Sequence, residues 1–286
     1  MKKKISLVLA LIMLFTLLTA CGSASSETAA TTETTETAAA TETAETEEVS
    51  ALAKVQEAGK LTVATSPDFP PFESLENDEV VGIEIDILQL ICEKLGVELD
   101  IQQMDFDSVL PGVQAGKFDL GASGISVTDQ RKKNVLFTDP YCLAAQAIVV
   151  TEDSAITCKA DLEGKKVSVQ TGTTAETFCM EAGYDVNSYS ANSDAQMALT
   201  NGKVDAWVID DLTAADMVKA YNAAGGDQLV ILDEAMTTEP YAFAFAFGSE
   251  DLVEEINTIL NDLVADGTVA SIFEKYEAPY TSPEEA

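Results

Sequence analysis

The chain has 286 residues, with 16 Lys plus Arg against 49 Asp plus Glu and a formal charge of −33. A surface that acidic repels a phosphate backbone, so nucleic-acid binding is excluded, and flat docking on an anionic membrane is equally unfavourable. There is no His, which excludes Ser-His-Asp and Cys-His nucleophile systems and His-ligated metals. No catalytic residue, metal or cofactor is therefore expected. The length suits one large domain or two medium ones.

Met1-Lys2-Lys3-Lys4 is a positive start, and the apolar run Ile5 to Leu18 is of signal-peptide length and short for a membrane span. Leu18-Thr19-Ala20-Cys21 follows and resembles a bacterial lipobox. The resemblance implies a lipoprotein signal peptide over 1–20, cleavage before Cys21 and a diacylglyceryl group on its sulfur. Two acyl chains anchor stably where one is marginal. An uncleaved apolar anchor is the alternative; either way the remainder lies outside the cytoplasmic membrane. Gly22 to Val49 is a low-complexity run of Ser, Thr, Glu and Ala without large apolar side chains. Residues 21–50 are thus expected to be a disordered tether with a reach on the order of 30 Å.

From Ala51 onward, β-rich runs alternate with helical patterns, which predicts an α/β fold. Strands are predicted at Leu61–Thr65, Val97–Gln103, Asp119–Ser123, Ala147–Val150, Lys166–Gln170, Asp205–Ile209, Leu229–Leu232 and Tyr241–Phe247. Leu88, Ile91, Cys92 and Leu95 share a helical face closed by Gly96, and Leu252, Ile256, Ile259, Leu260 and Leu263 share another that ends near Gly267. A helix is expected over Leu212–Asn222, and Ser193 is expected to cap one that stops at Gly202. Ala115-Gly116-Lys117-Phe118-Asp119-Leu120 recurs as Asn201-Gly202-Lys203-Val204-Asp205-Ala206. Each copy follows a helix and opens a strand, and five residues beyond each Asp stand Gly124 and Asp210. The repeat suggests one αβ device used once per lobe, although Gly-Lys-x-Asp alone is also a common turn. Ligands bind at strand carboxyl ends in open α/β sheets, which singles out Ser123–Arg131 and Asp210–Leu212.

Several segments, in order, resemble the bacterial family 3 solute-binding proteins of polar amino acid ABC transporters. Val63–Glu73 is similar to the first strand and its aromatic loop, and Val81–Asp86 to the element opening the next helix. Gly124–Arg131 resembles the carboxylate-binding loop, and Phe137–Tyr141 the approach to the hinge. Asp161–Val167 and Gln170–Thr174 resemble the start of the second lobe, and Asp205–Asp210 the amine-binding strand end. The resemblance covers about 59–277. It implies a periplasmic-binding-protein-like type II fold: two α/β lobes joined by a two-strand hinge with the ligand in the cleft. Lobe 1 is then expected over 51–144 and 240–280, lobe 2 over 145–239, and a C-terminal tail over 281–286.

A free amino acid carries a carboxylate and an ammonium on one carbon. Arg131 offers a planar two-point fork for the first, which Lys cannot. By type alone, beside Lys132 and Lys133, it fits a surface ion pair as well; the resemblance assigns it to the ligand carboxylate. Ser126, with the backbone from Gly124, is assigned further donors, and Ser123 is counted in the same loop. Asp210 is assigned the ammonium; as the residue before a helix it would also suit an N-cap, a role that Asp211 fits better. Thr173 and Thr174 are expected to reach the carboxylate from lobe 2. Phe69 is expected to wall the ligand's carbon chain, with core packing as its alternative. Micromolar binding, about −8.2 kcal/mol, demands about −0.8 kcal/mol per atom from a ligand of about ten heavy atoms, so both lobes must contact it and closure is coupled to binding.

Side-chain choice is read from departures. Ser66 stands where basic-amino-acid binders often carry Asp, and Ile83 replaces a usual Phe, which removes one wall of an aromatic sandwich. Gln170 offers both a donor and an acceptor. These point to a neutral polar amino acid such as glutamine, while Asp68 keeps a cationic ligand open. Cys92 reads as core packing, no C-x-x-C pair exists, and a Cys158–Cys179 bridge is left open. The expected partners are a free L-amino acid, a cognate ABC permease and the membrane through the lipid anchor, for a monomeric, extracytoplasmic protein. Two alternatives are a dehydratase-like enzyme on the same fold, with Asp210 as acid/base, and a sensory amino-acid-binding module. The first lacks a second catalytic group; for the second, no further apolar span follows Tyr280.

Overall fold

The computed structural model describes residues 50–225 and 228–285. The expectations for the signal peptide, Cys21 and the tether lie outside them. No helix among the described residues is long and apolar enough to cross a membrane.

The described part opens with α1 (Ala51–Ala58), whose first turn is capped by the Ser50 hydroxyl accepting from the Ala53 N–H. β1 (Lys60–Thr65) leads into an antiparallel trio, β2 (Asp68–Phe69), β3 (Glu73–Glu76) and β4 (Glu79–Val81). Then come α2 (Ile83–Leu95), β5 (Glu98–Gln103), α3 (Phe106–Gln114), β6 (Leu120–Gly121) and β7 (Leu136–Phe137). β8 (Cys142–Ala144) crosses out of this lobe. The second lobe comprises β9 (Gln146–Thr151), β10 (Lys166–Gln170), α4 (Thr174–Glu181), β11 (Asp185–Tyr189), α5 (Asn192–Thr200), β12 (Ala206–Asp210), α6 (Asp211–Ala223) and β13 (Leu229–Ile231). β14 (Glu239–Tyr241) returns, and β15 (Ala244–Phe245), α7 (Glu250–Ala265) and α8 (Thr268–Lys275) complete the first lobe.

Each lobe is built on a five-stranded sheet, in the orders β5-β1-β6-β15-β7 and β11-β10-β12-β9-β13. In both, three parallel strands are followed by an antiparallel one. β8 and β14 pair antiparallel, Ala144 against Glu239 and Cys142 against Tyr241, as the two-strand connection. The α/β class and two-lobed architecture implied by the resemblance are present. Thr281, expected to open a tail, accepts from the Leu143 N–H of the connection at 3.0 Å.

The repeated hexapeptide is one device built twice. Gly116 and Gly202 both have φ +65°, a left-handed conformation that a Cβ disfavours. That turn lets Lys117 N–H reach Gly112 O at 3.1 Å and Lys203 N–H reach Ala198 O at 2.9 Å. The Asp of each copy then clamps a parallel neighbour in its sheet, β1 in lobe 1 and β10 in lobe 2. Asp119 Oδ2 accepts from Thr62 N–H at 2.7 Å, and Asp205 Oδ2 accepts from Lys166 N–H at 2.8 Å.

The predicted α7 face is the buried one, Leu252, Ile256, Ile259, Leu260 and Leu263. On α2, Leu88, Ile91 and Cys92 are buried, and burial pushes the Cys92 thiol up to about 11, as suits a packing residue. All four described cysteines are free, Cys158 and Cys179 included. Several local expectations needed correction. α5 begins at Asn192 with Ala191 before it, so Ser193 lies inside the first turn and caps nothing. The single strand read over Tyr241–Phe247 is broken into β14 and β15 because the chain passes from the connection back into the sheet. The run from Asp119 to Ser123 contributes only Leu120–Gly121 to the sheet.

Candidate functional site

The nine residues singled out in the sequence, Phe69, Ser123, Gly124, Ser126, Arg131, Gln170, Thr173, Thr174 and Asp210, line one cavity between the lobes, together with Phe106. The first five come from lobe 1 and the next four from lobe 2. They meet because strands β6, β10 and β12 all end at the cleft, and the loops beyond their carboxyl ends face one another.

Gly124 sits at φ +53°. A Cβ there would lie 2.4 Å from the Phe69 ring and 3.2 Å from Tyr241, so only Gly allows the loop to approach the aromatic wall. Its N–H donates to Glu84 Oε2 at 3.3 Å and is thereby used up within the loop's support. Behind the loop, Ser123 donates to Glu73 Oε1 at 2.8 Å and Tyr141 donates to Glu84 Oε1 at 2.5 Å. Glu73 and Glu84 are both fully buried. Burial holds both carboxyls above their usual range, Glu73 further because Glu84 faces it.

Arg131 leaves a short 3-10 turn (Arg131–Lys133) and points into the cleft. Nη1 donates to Ser126 O at 2.9 Å and Nη2 to Gly172 O of the other lobe at 3.2 Å, with the guanidinium 5.7 Å from the Phe106 ring centroid. No carboxylate among the described residues forms an ion pair with it. Burial lowers its pKa, and Glu239 and Asp210 pull in the opposite direction. The half-buried guanidinium is thus short of an anionic partner among the described residues. The start of α4 adds donors beside it, because the first N–H groups of a helix have no internal acceptor and its N-terminus favours negative charge. Thr173 caps that helix, its hydroxyl accepting from Glu176 N–H at 3.1 Å.

Asp210 is buried at the junction of β12 and α6. It occupies the N-cap position, yet its side chain makes no capping bond. Asp211, expected as the cap, is the first residue of the helix, and its Oδ1 accepts from the N–H groups of Leu212 at 2.8 Å and Ala145 at 3.2 Å. Asp210 accepts from the Tyr241 hydroxyl. Burial pushes its carboxyl up to about 7, Glu239 adds to that, and the Tyr241 and Gln146 side chains oppose it. No cation among the described residues lies within ion-pair distance of it, although Arg131 shares the cavity and acts on it electrostatically.

Gln170 does not have the freedom expected of it. Nε2 donates to Ser190 O at 3.0 Å and to both oxygens of Asp68 at 3.3 Å, and Oε1 accepts from Asn192 Nδ2 at 3.0 Å. Both polar ends are satisfied within the protein. Asp68 of lobe 1 also accepts from Asn192 N–H of lobe 2 at 2.7 Å. With Arg131 to Gly172, this ties the lobes together on two sides of the cavity. The enclosed space is about 10 Å³, room for roughly one water. It adjoins a vestibule of about 490 Å³ between α3 and α4. An amino acid must part the lobes further to enter.

Three residues at the site were not foreseen. Phe106, the first residue of α3, supplies a second aromatic wall, and Ile83 is core instead. An aromatic side chain just past the carboxyl end of β5 was the available signal. Glu239 and Tyr241 come from the returning strand; an acid and a phenol flanking Pro240 in an apolar run marked them. Ser126 and Thr174 hydroxyls are both turned to Glu239 Oε2, at 2.5 and 2.7 Å.

Comparison with known proteins identifies the family and the fold. The family model for bacterial extracellular solute-binding proteins, family 3, matches residues 61–279. The arginine-binding extracellular protein ArtP of Bacillus subtilis (strain 168) is 32% identical over 221 residues, 76% of this chain and 86% of its own. The L-cystine-binding protein TcyJ of Escherichia coli (strain K12) is 31% identical over 225 residues, 77% of this chain and 83% of its own. A crystal structure of a mutant of ArgBP from T. maritima superposes with a TM-score of 0.75 at 37% identity, covering 79% of this chain and 99% of that one. The chain belongs to the bacterial extracellular solute-binding proteins of family 3.

Proposed function

We propose that this chain is the cargo-binding component of an amino acid ABC transporter and that it captures a free L-amino acid between its lobes. The observation that carries the reading is a pair of groups of opposite sign on one cavity, Arg131 from lobe 1 and Asp210 from lobe 2, neither of them in an ion pair among the described residues. Each lacks a counter-ion that the other end of a zwitterion supplies. Arg131 and the first N–H groups of α4 take the carboxylate, Asp210 takes the ammonium, and Phe69 and Phe106 cover the carbon chain.

A cationic side chain, arginine first, is the cargo the site supports best. The aromatic faces of Phe69 and Phe106 on the cavity suit a planar cationic side chain. The proteins compared above carry arginine-binding and L-cystine-binding names. A neutral polar cargo such as glutamine is the second reading. It keeps Ser66 in its favour and loses the argument from Gln170, whose amide is spent on Asp68, Ser190 and Asn192. Thermal unfolding of residues 50–286 with each of the twenty amino acids tests both. The reading predicts a clear upward shift with arginine; no shift with any amino acid would reject it.

The same proposal includes the lipobox. Cleavage before Cys21 and diacylglyceryl attachment would tether the protein at the outer face of the membrane, close to its permease. The mature mass should carry the lipid on Cys21, and Cys21→Ala should release the protein into the medium. A dehydratase-like role needs a second acid/base group facing Asp210; the compared proteins are named for binding.

A further inference from the structure

The returning strand β14 carries a buried carboxylate that cargo binding, as described, leaves without a part. Glu239 Oε2 accepts from the Ser126 hydroxyl of lobe 1 at 2.5 Å and from the Thr174 hydroxyl of lobe 2 at 2.7 Å. Its Oε1 accepts from the Thr237 hydroxyl at 2.8 Å. A carboxylate has no proton to give, so each hydroxyl is the donor, and a hydroxyl has only one proton. With that proton spent on Glu239, Ser126 and Thr174 present only lone pairs to the cavity they line. Gln146 Nε2 already uses one of them, donating to Thr174 Oγ1 at 3.3 Å.

We propose that Glu239 is a positioning residue for cargo recognition: by taking both hydroxyl protons it turns Ser126 and Thr174 into acceptors and aims them, with Asp210, at the cargo's α-ammonium. The carboxylate is left to Arg131 and to backbone N–H groups, which can only donate. One side of the cavity then accepts and the other donates, so the site reads the polarity of the zwitterion. This reassigns the two hydroxyls, which the sequence had placed on the carboxylate. Because Glu239 stands on the connecting strand opposite Ala144, one hydroxyl from each lobe reaches it together in the closed arrangement. Closure therefore assembles the acceptor pair. The inference rests on the reading of the cargo as a free amino acid.

Glu239→Gln tests it, since the amide keeps the shape but offers N–H in place of one oxygen. Binding is measured for two pairs of probes, by titration and by displacement. The pairs are L-arginine with 5-guanidinopentanoate and L-glutamine with 4-carbamoylbutanoate; the second of each lacks only the α-amine. The variant should unfold at the wild-type temperature without ligand. It should bind the preferred amino acid at least tenfold more weakly and its deaminated analogue within about threefold of wild type. Equal losses for both members of a pair, or unchanged binding of the amino acid, would overturn the role of Glu239. If the wild-type chain itself bound none of the four, the cargo reading would fail instead.

Discussion

Asp210 gives the sharpest quantitative expectation. Its carboxyl is raised from 3.8 to about 7 by burial and by Glu239, and a cargo ammonium beside it would favour the charged form. Cargo binding must then expel a proton whenever the pH lies below about 7. If the bound carboxylate stays ionised down to pH 5, the dissociation constant at pH 6 should exceed that at pH 8 by about tenfold, or about 1.4 kcal/mol. At pH 5 the factor should approach about ninety. The protein lacks His, and the raised carboxyls of Glu73 and Glu84 behind the loop are separated from Asp210 by the Asp210→Asn control. Stability of the ligand-free protein has the matching sign. The folded-state pKa is raised, so the native state binds more protons between pH 4 and 7. Asp210 thus favours the folded state at low pH, and that contribution is lost as pH rises through 7, on the order of 4 kcal/mol in all. Isothermal titration at pH 5, 6, 7 and 8 in two buffers of different ionisation enthalpy reads both the affinity and the released proton. At pH 6 about 0.9 proton should leave per cargo bound. Asp210→Asn should bind weakly and without the slope. A flat wild-type profile, or the same slope in Asp210→Asn, would refute the assignment.

Other expectations follow from single contacts. Arg131→Ala should weaken cargo binding at least a hundredfold, since it leaves a desolvated carboxylate without its partner, while the ligand-free unfolding temperature stays within a few degrees; Arg131→Lys should restore little of the affinity. Gly124→Ala forces a Cβ into the Phe69 ring at a positive φ and should cost about 1–3 kcal/mol of stability, read by urea unfolding, and weaken binding too. Asp68→Ala removes the tie to Asn192 and Gln170 and should raise the radius of gyration of the ligand-free protein in small-angle scattering. Asp119→Ala and Asp205→Ala each strip an acceptor from a strand N–H, on β1 and β10, and should each destabilise by about 1–3 kcal/mol, with the two losses nearly additive because they lie in different lobes.

What was legible in the sequence was whatever local chemistry dictates. The apolar faces of α2 and α7 follow from helical periodicity, and they are buried as read except for the half-buried Leu95. The twin hexapeptide marked the two strand-opening turns because Gly at a left-handed position acts within a few residues of itself, whereas the N–H partners of Asp119 and Asp205, 57 and 39 residues back, were not legible. Ordered motifs brought nine residues to one cavity. What was not legible depends on partners far away in the chain. Gln170 has the right chemistry for a ligand amide, but Asp68, 102 residues away, and Asn192 claim its amide first. Glu239 acquires meaning only where the connection passes between Ser126 and Thr174. Phe106 stands in for an aromatic wall that was sought at position 83, since that helix face turns into the core. Short strands such as β2 and β7, two residues each, carry too few side chains to show a period.

The most direct measurement is a crystal structure of residues 50–286 grown with L-arginine. It should place the Arg131 guanidinium within about 3 Å of the cargo carboxylate and an Asp210 oxygen within about 3 Å of its α-ammonium. Cargo held in the cleft with either side chain turned away from it would contradict the two-ended grip.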